Sequence, residues 1–384
     1  MKKPFDILIV GAGVTGLTVA ALLAQSRHRE RMQITLVDAA PRPVHSVDDE
    51  LALRVSAIAT GSADLLDSIG AWCHVHKSRA SAYERMCVWD ESSSADSTAA
   101  LRFDAAEFAV PQLGFIVENT LLQHALLKVL DKLDISFRFA TKIDSLKADL
   151  VIGADGARSF VRDKVGIKTR DYPYGQTAFV THLQPAKAHC RTAWQRFMRD
   201  GPLGMLPLAD GRISVVWSTQ DAAVERALAA SDQALGKILS EASDYVLGDL
   251  AVAGPRGAFP LRERHAEQYV MPGVALIGDA AHTVHPLAGQ GANLGLQDAA
   301  TLASVIDQAL HDNEHPGDRP VLRRYERARK GENATMLHFM TGLNRLFATD
   351  SALVREVRTA GMRLFNVSGP IRDHAVKLAL GGSK

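Results

Sequence analysis

Three glycines near the start of the chain are spaced to bind a pyrophosphate. They follow an apolar run at residues 7–10 and open a helix-like pattern. In this arrangement the first glycine allows a tight turn, the second lets a phosphate approach the backbone, and the third packs the helix against the strand. Asp38, twenty-two residues beyond the last glycine, stands where a carboxylate would bind a ribose. The pattern predicts a dinucleotide site, for FAD or NAD alike, made by Gly11, Ala12, Gly13, Thr15, Gly16 and Asp38.

An aspartate and a glycine follow a second apolar run. Residues 149–154 predict a buried strand, and Asp155 and Gly156 come at its end. An Asp-Gly pair is a common turn that needs no ligand. By itself this motif therefore indicates a structural turn.

A third motif combines an aspartate with a glycine-rich start of a helix. An apolar strand at residues 274–277 delivers Asp279 to a sheet edge, where its carboxylate could accept hydrogen bonds from ribityl hydroxyls. The free backbone N–H groups of the helix that follows would stabilise negative charge on a nearby ring. His282 and His285 lie three residues apart, but without a third ligand this spacing argues against a metal site. The residues that this motif contributes to the predicted site are Asp279, Gly289, Gln290, Gly291, Ala292 and Asn293.

Composition and charge exclude several classes of protein. The 384 residues suggest two or three domains, and 47% apolar residues are typical of a globular chain. Lys and Arg (44) nearly balance Asp and Glu (43), so no whole-chain basic field would attract nucleic acid. The three cysteines contain no C-x-x-C pair, which predicts neither a disulfide framework nor a zinc site and favours the cytoplasm. The uncharged residues 7–26 resemble a signal peptide or a membrane span, but their glycines favour a nucleotide-binding turn.

The elements around the motifs predict an α/β fold with some α+β elements. A strand at residues 6–10, a helix at 14–25 and a strand at 33–38 make a βαβ unit with parallel pairing. Apolar spacing predicts further helices at residues 56–69, 120–133, 222–246 and 294–310. Short strands lie between these stretches, and residues 319–380 are mostly helical by pattern.

Together these motifs resemble the FAD-dependent aromatic hydroxylases of the para-hydroxybenzoate hydroxylase type. Within that group the chain is most similar to the UbiH/Coq6 family of ubiquinone-biosynthesis monooxygenases. The resemblance is carried by the first glycines, residues 54–58, Glu118-Asn119, Asp155-Gly156, Gly278-Asp279 and residues 285–293. It implies an FAD-binding Rossmann-like domain with an inserted β-sheet substrate domain and C-terminal helices. The FAD-binding domain would comprise residues 1–70, 113–170 and 261–318, the substrate domain residues 71–112 and 171–260, and the helical region residues 319–384.

The resemblance also implies roles for single residues. The first glycines would bind the FAD pyrophosphate, Asp38 the adenosine ribose, and Arg54 the phosphates or the ribityl chain. Asp155 and Gly156 would serve both FAD and the visiting NAD(P)H, which replaces the purely structural interpretation of that turn. Asp279 would bind the ribityl chain, and residues 289–293 would border the isoalloxazine. Asn119 is included at the FAD site, although many relatives carry Arg or Gln at this position.

The implied reaction is an aromatic hydroxylation. NAD(P)H would reduce the flavin, O₂ would form a C4a-hydroperoxide, and its distal oxygen would attack an electron-rich ring. Pro286 would line the substrate site, and His285 is a positional candidate for the group that deprotonates the phenol. The family's substrate is a polyprenylated phenol. No amphipathic basic helix stands out in the sequence, so we expect delivery by a ubiquinone-biosynthesis complex or a lipid-binding accessory protein, with peripheral membrane contact left open.

Three alternatives remain open at this point. The chain could be a catabolic or secondary-metabolite aromatic hydroxylase, which a prenyl-free substrate would identify. It could be a non-oxygenating flavin reductase, which would place no label from ¹⁸O₂ in its product. It could also be an FAD-containing accessory subunit, which would show no substrate-stimulated oxidation of NAD(P)H.

Overall fold

A computed structural model describes residues 3–46, 48–75, 79–283, 290–349 and 351–380. The strands, in chain order, are β1 (Phe5–Val10), β2 (Met32–Val37), β3 (Val55–Ala59), β4 (Ser81–Tyr83), β5 (Arg85–Asp90), β6 (Leu101–Asp104), β7 (Gly114–Glu118), β8 (Ser136–Arg138), β9 (Leu150–Gly153), β10 (Thr169–Pro185), β11 (Thr192–Met198), β12 (Gly201–Pro207), β13 (Ile213–Thr219), β14 (Leu250–Ala266), β15 (Val270–Met271), β16 (Val274–Leu276) and β17 (His282–Thr283). The α-helices are α1 (Val14–Ala24), α2 (Thr60–Ser68), α3 (Asn119–Leu130), α4 (Phe160–Lys164), α5 (Asp221–Ala229), α6 (Asp232–Ala242), α7 (Gln290–His311), α8 (Arg319–Ala348), α9 (Ala352–Val367) and α10 (Pro370–Ala379).

The first sheet is a buried, mostly parallel sheet with the order β15-β16-β9-β1-β2-β8. Strand β1 pairs in parallel with β2 on one side and with β9 on the other, which confirms the predicted βαβ unit. Ile7, Ile9 and Leu36 are fully buried and pack in one core with helices α1, α3 and α7. Burial on both faces explains why these strands are continuous apolar runs.

A second, mostly antiparallel sheet has the order β17-β14-β10-β13-β12-β11-β5-β6. On one face Phe179, Val215 and Met205 pack against Leu235 and Leu239 of helix α6. Most of its strands come from the two stretches expected to form the substrate domain, and the division of the chain into domains stays a prediction. Strand β17 joins this sheet beside β14, so the third motif connects the two sheets.

Two predicted helices differ from those in the structure. Residues 55–59 form β3, which pairs antiparallel with β7, and the helix of this stretch is only α2. Pairing in a three-stranded sheet, β3-β7-β4, overrides the helical spacing of a short apolar run. The stretch 222–246 is divided into α5 and α6, because the Ser231 side chain accepts a hydrogen bond from Ala234 N and begins a new helix.

The C-terminal helices connect both sheets. Helix α8 has 30 residues and would extend for roughly 45 Å. Near its start the Tyr325 hydroxyl donates to the Leu276 carbonyl of β16 at 2.8 Å, and further along Met340 and Phe347 pack with Phe197 of the second sheet. Within the described ranges, no helix has the length and the apolar character needed to cross a membrane.

Candidate active site

Close contacts between backbone atoms determine the conformation of the first glycine turn. Gly11 has a φ of +108°, and a Cβ added there would lie 2.3 Å from the Ala154 carbonyl oxygen. A Cβ on Gly16 would lie 2.0 Å from the Gly11 carbonyl oxygen. A Cβ on Gly13 would meet nothing within 4 Å, and no side chain caps the N-terminus of α1 there. The open space therefore lies in front of free backbone N–H groups, where a phosphate fits.

Two side chains hold the peptide groups of Ala12 in this turn. Asp38 Oδ2 accepts from Ala12 N at 2.5 Å, and its Oδ1 accepts from Ala40 N at 2.7 Å. Gln123 Nε2 donates to the Ala12 carbonyl at 2.8 Å. Because each carboxylate oxygen can accept two hydrogen bonds, Asp38 keeps capacity for ribose hydroxyls. Sequence reasoning missed Gln123, although it lies one turn after Asn119 on the same face of α3.

Arg54 and Asn119 lie side by side. Asn119 N donates to the Arg54 carbonyl at 3.1 Å, and Asn119 Oδ1 accepts from Ser56 Oγ at 2.6 Å. The exposed Arg54 guanidinium lies 5.6 Å from the ring centre of Phe259 on β14. A Cβ on Gly257 would lie 2.5 Å from Leu53 Cδ2, so this segment closely approaches the second sheet. Arg54 therefore lies at the junction of the two sheets.

The first and third motifs meet at Thr15. An added Cβ on Gly278 would lie 3.1 Å, and one on Gly295 would lie 2.4 Å, from Thr15 Oγ1. Gly278 has a φ of +57°, so the turn before Asp279 favours glycine on conformational grounds as well. Two segments more than 250 residues apart in sequence thus form one site.

The carboxylate of Asp279 reaches solvent, although many protein atoms lie close to it. Its side chain is accessible to solvent, yet protein surrounds it closely enough that burial raises its pKa, an effect partly offset by His282 and Arg54. Asp279 therefore reaches solvent close to Arg54, as expected for two groups that contact the same extended ligand.

The second motif caps a helix and connects to the third. Asp155 Oδ2 accepts from Val161 N of α4 at 3.0 Å, while its Oδ1 is buried without a hydrogen-bond partner in the described structure. Gly156 has a φ of +79°. Arg162, which sequence reasoning did not single out, donates to the Ala280 carbonyl at 3.2 Å. The turn has the structural role of a common Asp-Gly turn, and its contact with FAD or NAD(P)H stays a prediction.

Asn293 fixes the start of helix α7 with its side chain. Its Oδ1 accepts from Ala59 N at 3.0 Å, and its Nδ2 donates to the Ala57 carbonyl at 2.9 Å. Gly291 and Ala292 lie in the first turn of α7. The predicted contact of Asn293 with the isoalloxazine therefore falls to its backbone. The predicted residues His285, Pro286 and Gly289 and the side chain of Gln290 lie outside the described structure.

A buried polar network anchors the third motif from behind. The fully buried Asp298 of α7 accepts from Gly278 N at 3.0 Å, from His282 Nε2 at 2.5 Å and from Arg329 Nε of α8 at 2.8 Å. Burial raises the pKa of Asp298, but the charges and hydrogen bonds of His282 and Arg329 outweigh this and hold it below the ordinary value. Sequence reasoning missed Asp298, although a carboxylate four residues from both Leu294 and Leu302, on one apolar helix face, was a usable signal.

Comparisons with known proteins agree with this geometry. A family model described as an FAD binding domain matches residues 134–339, and one described as an NAD(P)-binding Rossmann-like domain matches residues 9–55. The chain is 35% identical to 3-demethoxyubiquinol 3-hydroxylase of Escherichia coli, over 99% of both chains. It is 32% identical to the human mitochondrial ubiquinone biosynthesis monooxygenase COQ6, over 98% of this chain and 92% of that protein.

A solved structure shows the same fold. PqsL from Pseudomonas aeruginosa, described as a probable FAD-dependent monooxygenase, has a TM-score of 0.74 at 22% identity, over 94% of this chain and 99% of that one. The family models and the sequence relatives show that the chain is a flavoprotein monooxygenase. The chain belongs to the UbiH/Coq6 family of FAD-dependent ubiquinone-biosynthesis monooxygenases. It is an aromatic hydroxylase with FAD as its cofactor and NAD(P)H as its reductant.

Proposed function

We propose that this enzyme hydroxylates the aromatic ring of a polyprenylated phenol in ubiquinone biosynthesis. One oxygen atom of O₂ enters the ring and the other leaves as water, while NAD(P)H supplies two electrons. The observation that carries the proposal is the 35% identity, along nearly the whole of both chains, to a 3-demethoxyubiquinol 3-hydroxylase. The geometry adds two glycine turns that meet at Thr15, with Asp279 and Arg54 close to each other.

The residues of this site fit FAD, which when bound supplies the activation of O₂. The N–H groups at Gly13 would bind its pyrophosphate, and Asp38 would bind the adenosine ribose. Arg54 would lie beside the phosphates or the ribityl chain, and Asp279 would accept hydrogen bonds from the ribityl hydroxyls. The backbone of residues 289–293 would border the ring. These assignments need no metal ion.

Three apolar side chains lie on the sheet face next to this site. Val180, Val216 and Phe259 share one face of the second sheet by register, and this face meets the segment that carries Arg54. Phe259 and Val216 are partly exposed, so they are available to contact a phenol ring. Pro286 and His285 stay our candidates for lining the site and accepting the phenol proton. We expect this chemistry in the cytoplasm, where Cys73, Cys87 and Cys190 remain free thiols.

The test is oxygen labelling with two matched substrates. Purified holoenzyme with NAD(P)H and ¹⁸O₂ should convert a short-chain prenylated phenol into a product with one added ¹⁸O, detected by mass spectrometry. The same phenol without its prenyl group should react more slowly. Equal rates would instead favour a catabolic hydroxylase, and a reduced product without label would contradict oxygenation.

A profile of quinone intermediates in cells lacking the enzyme sharpens the assignment. A precursor missing one hydroxyl group should accumulate, and its structure would give the ring position. Normal ubiquinone with no accumulated precursor would contradict a role in this pathway.

A further inference from the structure

Residues 49–54 lead into strand β3 without forming a helix or a strand of their own. Within this segment Leu53 lies against the second sheet, because a Cβ added to Gly257 would come within 2.5 Å of its Cδ2. The guanidinium of Arg54 lies near Phe259 of the same sheet, and its charge partly offsets the effect of burial on the pKa of Asp279. Two neighbouring residues of segment 49–54 therefore face the second sheet and the predicted FAD contacts.

A buried ion pair binds the backbone of this segment. Glu118, at the end of β7, is 1% exposed, and Arg79 is 10% exposed. Arg79 Nε donates to Glu118 Oε2 at 2.7 Å, and its Nη2 donates to Oε1 at 2.8 Å, so the pair is bidentate. Glu118 Oε1 also accepts from Ala52 N at 2.6 Å, and Arg79 Nη1 donates to the Asp49 carbonyl at 2.6 Å. Each partner of the ion pair thus binds one backbone group of segment 49–54.

The carboxylate of Glu118 faces segment 49–54 and not the helix that follows it. Glu118 is the N-cap residue of α3, but its side chain accepts no hydrogen bond from the backbone of that helix. The next residue, Asn119, donates its backbone N–H to the Arg54 carbonyl at 3.1 Å. Leu53 is therefore flanked by two backbone groups that the start of α3 binds, Ala52 N on one side and the Arg54 carbonyl on the other.

Stability alone is a poor reason for such a pair. Desolvation of two charges opposes their attraction, and apolar residues of similar volume often support an interior equally well. Apolar residues could not accept from Ala52 N or donate to the Asp49 carbonyl, however. What the ion pair adds over an apolar replacement is a fixed position for the backbone of segment 49–54.

We propose that Glu118 and Arg79 are positioning residues for the hydroxylation. Through segment 49–54 they hold Arg54 beside FAD and Leu53 against the substrate sheet. The proposal rests on the proposed function for the roles of these two residues. If segment 49–54 were displaced, FAD would bind more weakly and water would enter the site. NAD(P)H and a proton would then reduce O₂ to H₂O₂, with no oxygen atom entering the ring.

The test removes the ion pair without leaving a buried charge. Arg79→Met/Glu118→Leu keeps similar side-chain volumes, so the apoprotein should melt close to the wild type. The Kd of FAD should rise about tenfold, the scale of one lost contact to a charged group. The amount of hydroxylated product per NAD(P)H oxidised should fall severalfold, with H₂O₂ making up the difference. In the apoprotein, trypsin should cleave severalfold faster after Arg54, as measured by mass spectrometry of the fragments.

The matched control is another buried ion pair. Asp90 of β5 and Arg358 of α9 are each 4% exposed and lie 2.5 Å apart. Asp90→Asn should lower the melting temperature, because it leaves Arg358 without its carboxylate. It should keep the wild-type Kd of FAD and the wild-type yield of product per NAD(P)H. If Arg79→Met/Glu118→Leu fails to fold, Arg79→Lys replaces it, because a lysine cannot bind both oxygens of Glu118 and the Asp49 carbonyl together.

Two results would overturn the proposal. One is a double variant that keeps the FAD affinity and the product yield of the wild type. The other is an equal loss of FAD affinity in Asp90→Asn, which would make the effect one of general stability. Failure of the proposed function would look different, since FAD binding and tryptic cleavage are measured without a phenol. If both change as expected in an enzyme that hydroxylates no prenylated phenol, the positioning role stands and the substrate assignment fails.

Discussion

The two glycine turns that follow strands β1 and β16 are supported by different parts of the chain. Around Gly11 and Gly16 backbone atoms are in close contact, and the side chains of Asp38 and Gln123 bind the peptide groups of Ala12. Around Gly278 the backbone N–H is bound by Asp298, which is in turn held by Arg329, thirty-one residues further along in helix α8. The first turn is supported within the FAD-binding fold, and the second depends also on the C-terminal helices.

Through Asp298, a helix outside the nucleotide-binding fold supports the turn that precedes Asp279. Substitutions in the first turn should act through sterics and backbone strain, which no remote residue can relieve. Substitutions behind the second turn should act through unpaired charge in the interior. The losses of stability expected from the two kinds of substitution differ in size and in pH dependence, so experiments can distinguish them.

The largest effect should come from Gly11→Ala. The added methyl group would overlap the Ala154 carbonyl, and the residue would have to keep a φ of +108°. We expect a loss of about 4 kcal/mol or more in the free energy of unfolding, together with loss of FAD. Denaturant unfolding and flavin absorbance measure the two effects.

Gly13→Ala is the matched control for that substitution. Its methyl group would meet no protein atom within 4 Å, so the apoprotein should keep its stability to within about 1 kcal/mol. FAD affinity should still fall, because the methyl group would occupy the space assigned to the pyrophosphate. A Gly13→Ala enzyme that binds FAD normally would contradict that assignment.

The next effect should come from Asp298→Asn. The amide cannot balance the charge of the buried Arg329, whose other partner, Glu332, is exposed to solvent, so we expect a loss of about 3 kcal/mol in the free energy of unfolding. FAD should bind more weakly as well, since Gly278 loses its anchor. Asp163→Asn is the comparison, because Asp163 pairs with another buried arginine, Arg162, but is itself exposed. Equal losses in both variants would show that the interior position of Asp298 is unimportant.

Much of the first turn could be predicted from the sequence, and little of the support behind the second. Gly11 and Gly16 report directly on the backbone, because a Cβ added at either position would overlap a carbonyl oxygen, while Gly13 leaves open the space in front of the turn. The pairing of Asp298 with Arg329 depends on how α7 and α8 pack, which no spacing within one helix encodes. Asn293 shows the same limit, since its side chain is bound to a strand that sequence reasoning had assigned to a helix.

The third prediction concerns the pH dependence of stability. It involves His265, which lies at the end of the buried polar network of Asp298. His265 Nε2 lies 2.8 Å from the hydroxyl of Tyr269, and burial, aided by the charges of His282 and Lys330, lowers the pKa of His265 to about 4. Between pH 6.5 and about 4 the unfolded chain therefore binds a proton that the folded one does not. Stability should rise with pH across this window, by on the order of 2 kcal/mol from this residue.

His265→Gln should reduce that slope, measured by urea unfolding at a series of pH values. Tyr269→Phe keeps the imidazole and should keep the slope, although it removes the hydrogen bond. An unchanged slope in His265→Gln would place the pH dependence in other histidines.

The smallest predicted effect is a gain in the stability of the apoprotein, where the earlier substitutions cause a loss. Burial raises the pKa of Asp279, so its ionised form destabilises the folded apoprotein, and this cost appears as the pH rises above the pKa of an unfolded aspartate. Asp279→Asn should therefore stabilise the apoprotein at neutral pH, by about 1 kcal/mol or less because solvent reaches the side chain. The same variant should bind FAD more weakly, because an amide accepts fewer hydrogen bonds from ribityl hydroxyls. Melting of the apoprotein and titration with FAD measure the two effects separately. If Asp279→Asn lowered the stability of the apoprotein, the carboxylate would be part of the interior support, as Asp298 is, and not a group held ready for the cofactor.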